Sequence, residues 1–398
     1  MMIKAGSLLY SIYICLIVSL LCAGLLWYSG LYSQLNIFYE TRSSLYVENQ
    51  SAINYALIHP EFTVGSLGED PSIISEFQTK QHGLLQVLTV RSVFQKDTVE
   101  SAHFLGRYDT ENVCLVMSES GRRVLYSGSV ILNGYKKVPG GFLGVSYIQN
   151  ESSNLIMDRP CELAINQLPR MAAINLESEN NEQVDLQTTT SDTLDSRSFF
   201  QSQKIIQVKG KQLQNQKLRG NYLIKSSDSL FIGRDNFLED VIISAPKIVF
   251  EDGFEGTVQA FASELIVLGR EVSLHYPSAL CIRSSAKGSQ LILGEKSKVS
   301  GILASGGYEP RHLEDHTIEM EKDVCVIGDI YCEGKLLLTG KVHGSVYTNR
   351  IAAKKPAATY DNMIWNATID AGKRPSHFVS LLHFDERKGR YGILKKVR

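Results

Sequence analysis

The sequence predicts a mainly β chain carried on a long N-terminal helix, and three observations lead there. Residues 8–28 contain no charged side chain. Short β-branched and aromatic runs punctuated by Gly fill most of the remaining chain. In residues 324–348, VCVIGDIYCEGKLLLTGKVHGSVYT, Val324, Ile330, Leu336, Val342 and Thr348 fall six apart, and Gly328, Gly334 and Gly340 keep the same period. Two residues beyond the apolar positions stand Val326, Cys332, Leu338 and Gly344. A strand alternates faces every second residue, and glycine permits tight bends. Such a stretch reads as short strands and corners wound into a β-solenoid (β-helix).

The totals narrow the function classes. A chain of 398 residues holds about two or three domains. With 41 basic and 42 acidic side chains and a formal net charge of −1, no global field draws the protein to nucleic acid. Tyr outnumbers Trp 18 to 2, a composition suited to strands. Seven cysteines include no CxxC, and those outside the apolar start (Cys114, Cys161, Cys281, Cys325, Cys332) are odd in number. Neither a disulfide framework nor a zinc ribbon is indicated, and most read as small core residues. Within the six-residue pattern Cys332 points inward and Cys325 outward.

Residues 1–30 read as a transmembrane anchor, because the apolar run exceeds the ~20 residues needed to cross ~30 Å of hydrocarbon. Trp27 and Tyr28 stand where interfacial aromatics belong. A cleaved signal peptide competes with this reading, with Cys22-Ala23-Gly24 as its small-residue site, but the run is longer than a usual signal core. Lys4 precedes the span and Arg42 is the first basic residue after it, which places the N-terminus in the cytoplasm and the rest outside. Residues 31–60 read as an amphipathic stalk helix. Leu31, Leu35, Phe38, Leu45, Ala52 and Ala56 recur at three- to four-residue spacing, with Arg42 and Asn49 filling two places in the stripe. His59-Pro60 ends it, since a residue before proline resists the α region. The stripe packs on the protein's own head or, in the sharper reading, on another copy.

A membrane helix running into an amphipathic stalk and a β-rich head resembles a type IV pilin or pseudopilin. That family's processing motif is a basic leader ending in Gly, then an aromatic or Met, with Glu five residues in. Here Lys4-Ala5-Gly6 is followed by Ser7, and Ser11 stands where the Glu belongs. The resemblance is architectural and does not extend to cleavage by a prepilin peptidase.

Residues 61–172 read as a β-rich domain. Runs at 84–94, 113–117, 124–126 and 130–132 alternate with turn signals at 119–122, Asn133-Gly134 and Pro139-Gly140-Gly141. They form either a sandwich or the first coils of a solenoid. Residues 173–220 are polar and rich in Gln, Ser and Thr, and read as a linker or excursion with a short strand at 204–208. Residues 221–355 read as the β-solenoid. Its inward pairs are Val241/Ile243, Ile248/Phe250, Leu265/Val267, Val272/Leu274, Leu280/Ile282, Leu291/Leu293 and Val299/Gly301. Residues 356–398 read as a C-terminal cap and basic tail, the cap holding strands at 363–365 and 378–382. Arg387, Lys388, Arg390, Lys395, Lys396 and Arg398 form a solvated end.

Residues 326–330 (VIGDI), 340–346 (GKVHGSV) and the cadence around them resemble the bactofilin family of bacterial polymer-forming β-helix proteins. That resemblance implies short parallel strands stacked into a right-handed β-helix whose ends polymerise without nucleotide. Bactofilins are usually cytoplasmic, whereas this chain carries an exported-looking head. The whole arrangement also resembles a group of bacterial membrane-anchored proteins with pilin-like N-termini, and that resemblance implies no activity.

Chemistry is sparse. Residues 311–316 (RHLEDH) gather two His and two carboxylates in a loop, a donor set suited to Zn or Mn, but no second cluster completes it. A period of six also marks left-handed hexapeptide acyltransferases, whose aliphatic-Gly pair occurs here only at Ile327-Gly328, and His343 points outward. Glu251, Asp252 and Glu255 cluster at one corner without a diagnostic spacing. Asn49, Asn150 and Asn366 fit the glycosylation sequon. No P-loop, GxGxxG, GxSxG or HExxH occurs. No catalytic, cofactor-binding or metal residue is assigned, and no cofactor is expected. The reading is a non-catalytic, single-pass structural or assembly component of a bacterial cell-envelope apparatus of pilus or secretion type, set in the inner membrane. Its partners are the lipid bilayer, further copies of itself and other envelope proteins, with no nucleic acid. The competing reading is an envelope glycan-binding module or degenerate β-helix carbohydrate-active enzyme.

Overall fold

The computed structural model describes residues 5–67, 72–107, 112–147, 152–170, 174, 176, 181–185, 193–283, 288–306, 316–355, 358–375, 378, 380 and 391–397. The chain divides into two compact units. One comprises Met1–Ala56, Val64–Gln78 and Val90–Ser101, and the other Leu57–Thr63, Thr79–Thr89 and Ala102–Arg398.

In the first unit a single unbroken helix, Ala5–Ile58, runs 54 residues, about 81 Å at 1.5 Å per residue. It joins the expected membrane and stalk segments and stops two residues before Pro60, as the sequence requires. Its lower half buries Leu45, Asn49, Ala52, Ile53 and Ala56, spaced so that they share one face. Leu45 meets Ile73 and Val99, with Phe94 beside them. Tyr55 packs on Phe77 with ring centroids 5.9 Å apart. Val64–Leu67 pairs antiparallel with residues 75–78.

The second unit is built from parallel strands in three ladders that the chain visits in rotation. The first ladder starts with Asn181–Asp185, Gln203–Gln207 and Tyr222–Lys225. It continues through segments of Phe237–Phe250, Glu255–Leu268, Ser273–Ile282, Lys298–Ser305, Val324–Leu337 and Gly340–Lys355. The second runs from Gln212–Leu213 through Leu230–Ile232, Gln290–Leu293 and Thr317–Met320 to residues 350–352. The third runs from Asp195–Arg197 through Lys217–Gly220 to Thr368–Asp370. Residues 203–220, part of the stretch that reads as a polar excursion, thus enter all three ladders.

This rotation accounts for the six-residue period. Val324, Ile330 and Leu336 lie on the third, first and second ladders, and Val342 returns to the third, where it pairs with Val326. Val324, Val326, Ile330, Cys332, Leu336, Leu338, Val342 and Thr348 are all buried, and Cys325 is half-buried on the outer side. Most inward pairs in the looser part hold as well. The exception is Leu265/Val267: both are half-buried, and Ile266 and Leu268 point inward instead. Residues 265–268 are apolar throughout, so alternation does not set their phase. Pairing of Ile248 with Ile266 and Phe250 with Leu268 does.

Sequence order and stacking order differ. Residues 346–348 pair with 115–117, Val113–Met117 pairs with Tyr135–Val138, and the latter with Glu162–Leu163. Likewise Thr368–Asp370 pairs with Ser129–Asn133, and Ser129–Asn133 with Asn154–Met157. Met363–Trp365, Val124–Ser127 and Leu143–Val145 form a further parallel set. The early β segment therefore stacks beyond the late one. On the outer face of the first ladder pack Ile165, Leu168, Ile174 and Leu176. Pro169 O accepts a bond from Tyr331 Oη at 3.1 Å, and Leu176 O one from Gln203 Nε2 at 3.2 Å. Leu84, Leu85, Val87, Ala102, Phe104 and Val397 cover the same face. Tyr391–Val397 is a strand paired antiparallel with residues 102–107, and Lys395 Nζ reaches Asp240 and Glu239 at 2.8 Å. This part of the expected basic tail is ordered, because its ammonium lies between two carboxylates.

Gly328 and Gly344 stack in register at one corner, both with positive φ. A Cβ on either would stand 1.9 Å from the carbonyl oxygen of the glycine one round back. Gly328→Ala should therefore cost more than about 2 kcal/mol. Gly253→Ala, at positive φ but with open space around it, should cost about 1 kcal/mol. Urea unfolding midpoints of the two variants check the difference.

Candidate membrane and assembly surface

The upper helix has no packing partner among the described residues. Leu20, Leu26 and Trp27 are 68%, 75% and 73% exposed, and residues 8–28 are exposed all round. By length and composition this is a helix able to cross a membrane. Ser19 Oγ donates to Cys15 O at 2.7 Å, which satisfies the hydroxyl inside its own helix. Exposure continues below the apolar run at Leu31, Tyr32, Leu35, Ile37, Phe38 and Tyr39. No Asp, Glu, Lys or Arg occurs between Lys4 and Glu40. The uncharged helix is thus about 52 Å long, against ~30 Å of hydrocarbon. Arg42 closes this stretch, its guanidinium 5.8 Å from the Phe38 ring and 5.9 Å from Tyr46.

Below Arg42 the stripe belongs to its own head. Asn49 Nδ2 donates to Val90 O (3.4 Å), Ser92 Oγ (3.3 Å) and Val99 O (3.4 Å), while Oδ1 accepts from Ser101 Oγ at 2.6 Å. A second hydroxyl contact, Ser75 to Ser92 at 2.7 Å, extends the network. The first sequon is therefore buried and cannot accept a glycan in the folded unit. Leu45 and Ala52 are closed to a neighbour for the same reason. Leu31, Leu35 and Phe38 are open.

The remaining candidates resolve into structural roles. Residues 311–315 lie outside the described residues, and His316 is buried with Nδ1 2.5 Å from Ser289 Oγ. Among the described residues no group of three His, Cys, Asp or Glu could hold a metal ion. Each corner carboxylate serves the adjacent round: Glu251 accepts from Arg234 N at 2.7 Å, Asp252 binds Arg270 through backbone and side chain, and Glu255 meets His275 at 2.7 Å. His343 is half-buried on the outer side, its pKa lowered by burial and then by Lys373. Asn366 Oδ1 accepts from Ser129 N at 2.9 Å, and Asn150 lies outside the described residues. Two buried polar sites escape the sequence reading. Lys136 is fully buried and donates to Leu132 O, Gly134 O and Asp158 Oδ1. Arg374 donates to Asp329 and Ser345. Nothing in local spacing announces them, since the side-chain partners Asp158, Asp329 and Ser345 lie 22, 45 and 29 residues away.

No family model matches the sequence, and no curated protein matches it. Among solved structures, the crystal structure of competence-associated pilin ComZ from Thermus thermophilus is similar at 12% identity, covering 84% of this chain and 87% of that chain, with a TM-score of 0.19. A score of that size does not establish a shared fold.

Two buried histidines set an acid limit on stability. His82 lies between Phe104 and Phe199 at 5.8 and 5.0 Å, and burial pushes it down to about 4 against an opposing hydrogen bond to the Asp240 backbone. His103 is likewise held at about 4, by burial and then by Lys396. Each is depressed in the folded chain from an ordinary value of 6.5. Their stabilisation is complete above pH ~6.5 and is lost as pH falls toward ~4. For His82 this amounts to about 3 kcal/mol. Thermal midpoints should fall across that window, and His82→Phe should flatten the slope.

Proposed function

We propose that the chain is a membrane-anchored, non-catalytic structural component of a bacterial envelope assembly of pilus or secretion type. One observation carries this reading. An uncharged helix about 20 Å longer than a bilayer core leaves Leu31, Leu35 and Phe38 at 40–50% exposure. Lipid covers the first ~30 Å and neighbouring helices of the assembly cover the rest. In this account the N-terminus is cytoplasmic, the first unit beyond its membrane span and the whole second unit are exported, and the three ladders wind as a β-solenoid that serves as a stiff, regular body. The anchor is retained, because its apolar run is longer than a usual signal-peptide core.

Cysteines at Leu35 or Phe38, in a chain with Cys15 and Cys22 replaced by Ser, should crosslink to copies or envelope partners in native membranes. Cysteine at Ala52 should not, being buried against its own sheet. Exchange of the helix for an unrelated span without loss of assembly would defeat the proposal. A second reading, a glycan-binding module, draws on a cleft of about 510 Å³ lined by Tyr135, Lys137, Arg159 and Glu162 among others. Carbohydrate affinity that survives the helix exchange would favour it.

A further inference from the structure

The outer face of the first ladder changes character at one point. An outward column runs from Phe261 through Cys281, Ala304, Tyr331 and Tyr347 to Val116, each in register with the last and all buried. The next two residues in that register are Lys137, half-buried, and Glu162, exposed. Neighbouring parallel strands stand about 4.8 Å apart. No ion pair joins these two side chains, however, and neither has another polar partner among the described residues.

Both line the cleft of about 510 Å³, a volume within the ~300–1,000 Å³ of small-ligand sites. Val116, Tyr347, Ile165 and Pro169 give it an apolar lining. That lining is held in place: Ile165 N donates to Met117 O at 3.2 Å, and Pro169 O accepts from Tyr331 Oη at 3.1 Å. Asn112 lines the cleft from an exposed position, its backbone oxygen accepting from Tyr135 N at 2.7 Å. The Asn112 amide has no side-chain partner among the described residues. Asp158 does not compensate Lys137. Lys136 Nζ takes it at 2.8 Å and Arg159 Nε at 3.2 Å, so two cations share one carboxylate. Arg159 also lies 5.4 Å from the Tyr135 ring, and both residues line the cleft. With Lys137 set against Glu162, the local balance of charge is positive.

We infer that this cleft binds an acidic saccharide, a sugar unit bearing a carboxylate, which rests on the glycan-binding reading of the same cleft and narrows it. The sugar carboxylate docks on Lys137, with the Nη groups of Arg159 beside it. Glu162, as a carboxylate, only accepts hydrogen bonds, so the ligand must also bring donors, and sugar hydroxyls supply them. The Asn112 amide both donates and accepts, as a hydroxyl does. Ile165 and Pro169 cover the C–H face of the ring. A simple anion leaves Glu162 without a donor, and a neutral sugar leaves Lys137 without an acceptor. Either mismatch desolvates a charge for no return.

Titration calorimetry of the full chain in detergent tests this with four probes: a short oligouronide, its carboxyl-reduced neutral counterpart, acetate and an acidic dipeptide. The oligouronide should bind with a Kd of about 0.1–1 mM, and the other three at least about tenfold more weakly. Lys137→Gln should weaken the oligouronide at least about tenfold, while Lys137→Arg restores it to within about threefold. Unchanged thermal midpoints will show that the variants fold, and the probe series on the wild type decides even where one does not. Equal affinity for the oligouronide and its neutral counterpart, unmoved by Lys137→Gln, overturns the inference and leaves the glycan-binding reading standing. Absence of binding to both saccharides overturns the two together. Acetate or the dipeptide binding as tightly as the oligouronide marks a plain anion site and also overturns the inference.

Discussion

Parallel backbone pairing sets successive rounds of the larger unit about 4.8 Å apart, and the side chains are fitted to that spacing. Each inward position stands directly over its counterpart, so Val326, Val342 and Ile369 form one continuous apolar column. The corner glycines obey the same pitch, because one round's carbonyl occupies the place a Cβ would take in the next.

Where the chain departs from apolar stacking, buried polar groups fix its path. Arg374 Nη2 lies 2.5 Å from Asp329 Oδ1 and 2.8 Å from Ser345 Oγ, while Ser380 donates to the other oxygen of Asp329. Phe378, between them in sequence, lies 4.8 Å from Tyr276. The late segment is thereby tied to several rounds at the glycine corner. Breaking one partner of such a network strands a buried charge, so its contribution is to the choice of path more than to net stability.

In the first unit, polarity divides the helix. Asn49 uses both ends of its amide on the sheet, inside a packed half that begins at Leu45. Above Arg42 no described residue packs on the apolar surface, whose length and composition are those of a helix able to cross a membrane.

The sequence by itself determined the helix and its end at His59-Pro60 and the inward columns from Val324 to Thr348. It did so because period, charge and proline act within a few residues. At Leu265–Leu268 local pattern ran out, since four apolar residues in succession fit either phase and only the neighbouring round chooses. Only the tertiary structure decided that residues 113–163 stack beyond residues 340–355. It also assigned Leu45 and Ala52 to the head and placed Lys395 between Glu239 and Asp240. Each of these depends on which distant strand supplies the next backbone partner. Apolar residues at the end of a ladder read the same in sequence as those at its middle, and Leu163 differs from Val138 in that no described strand pairs beyond it.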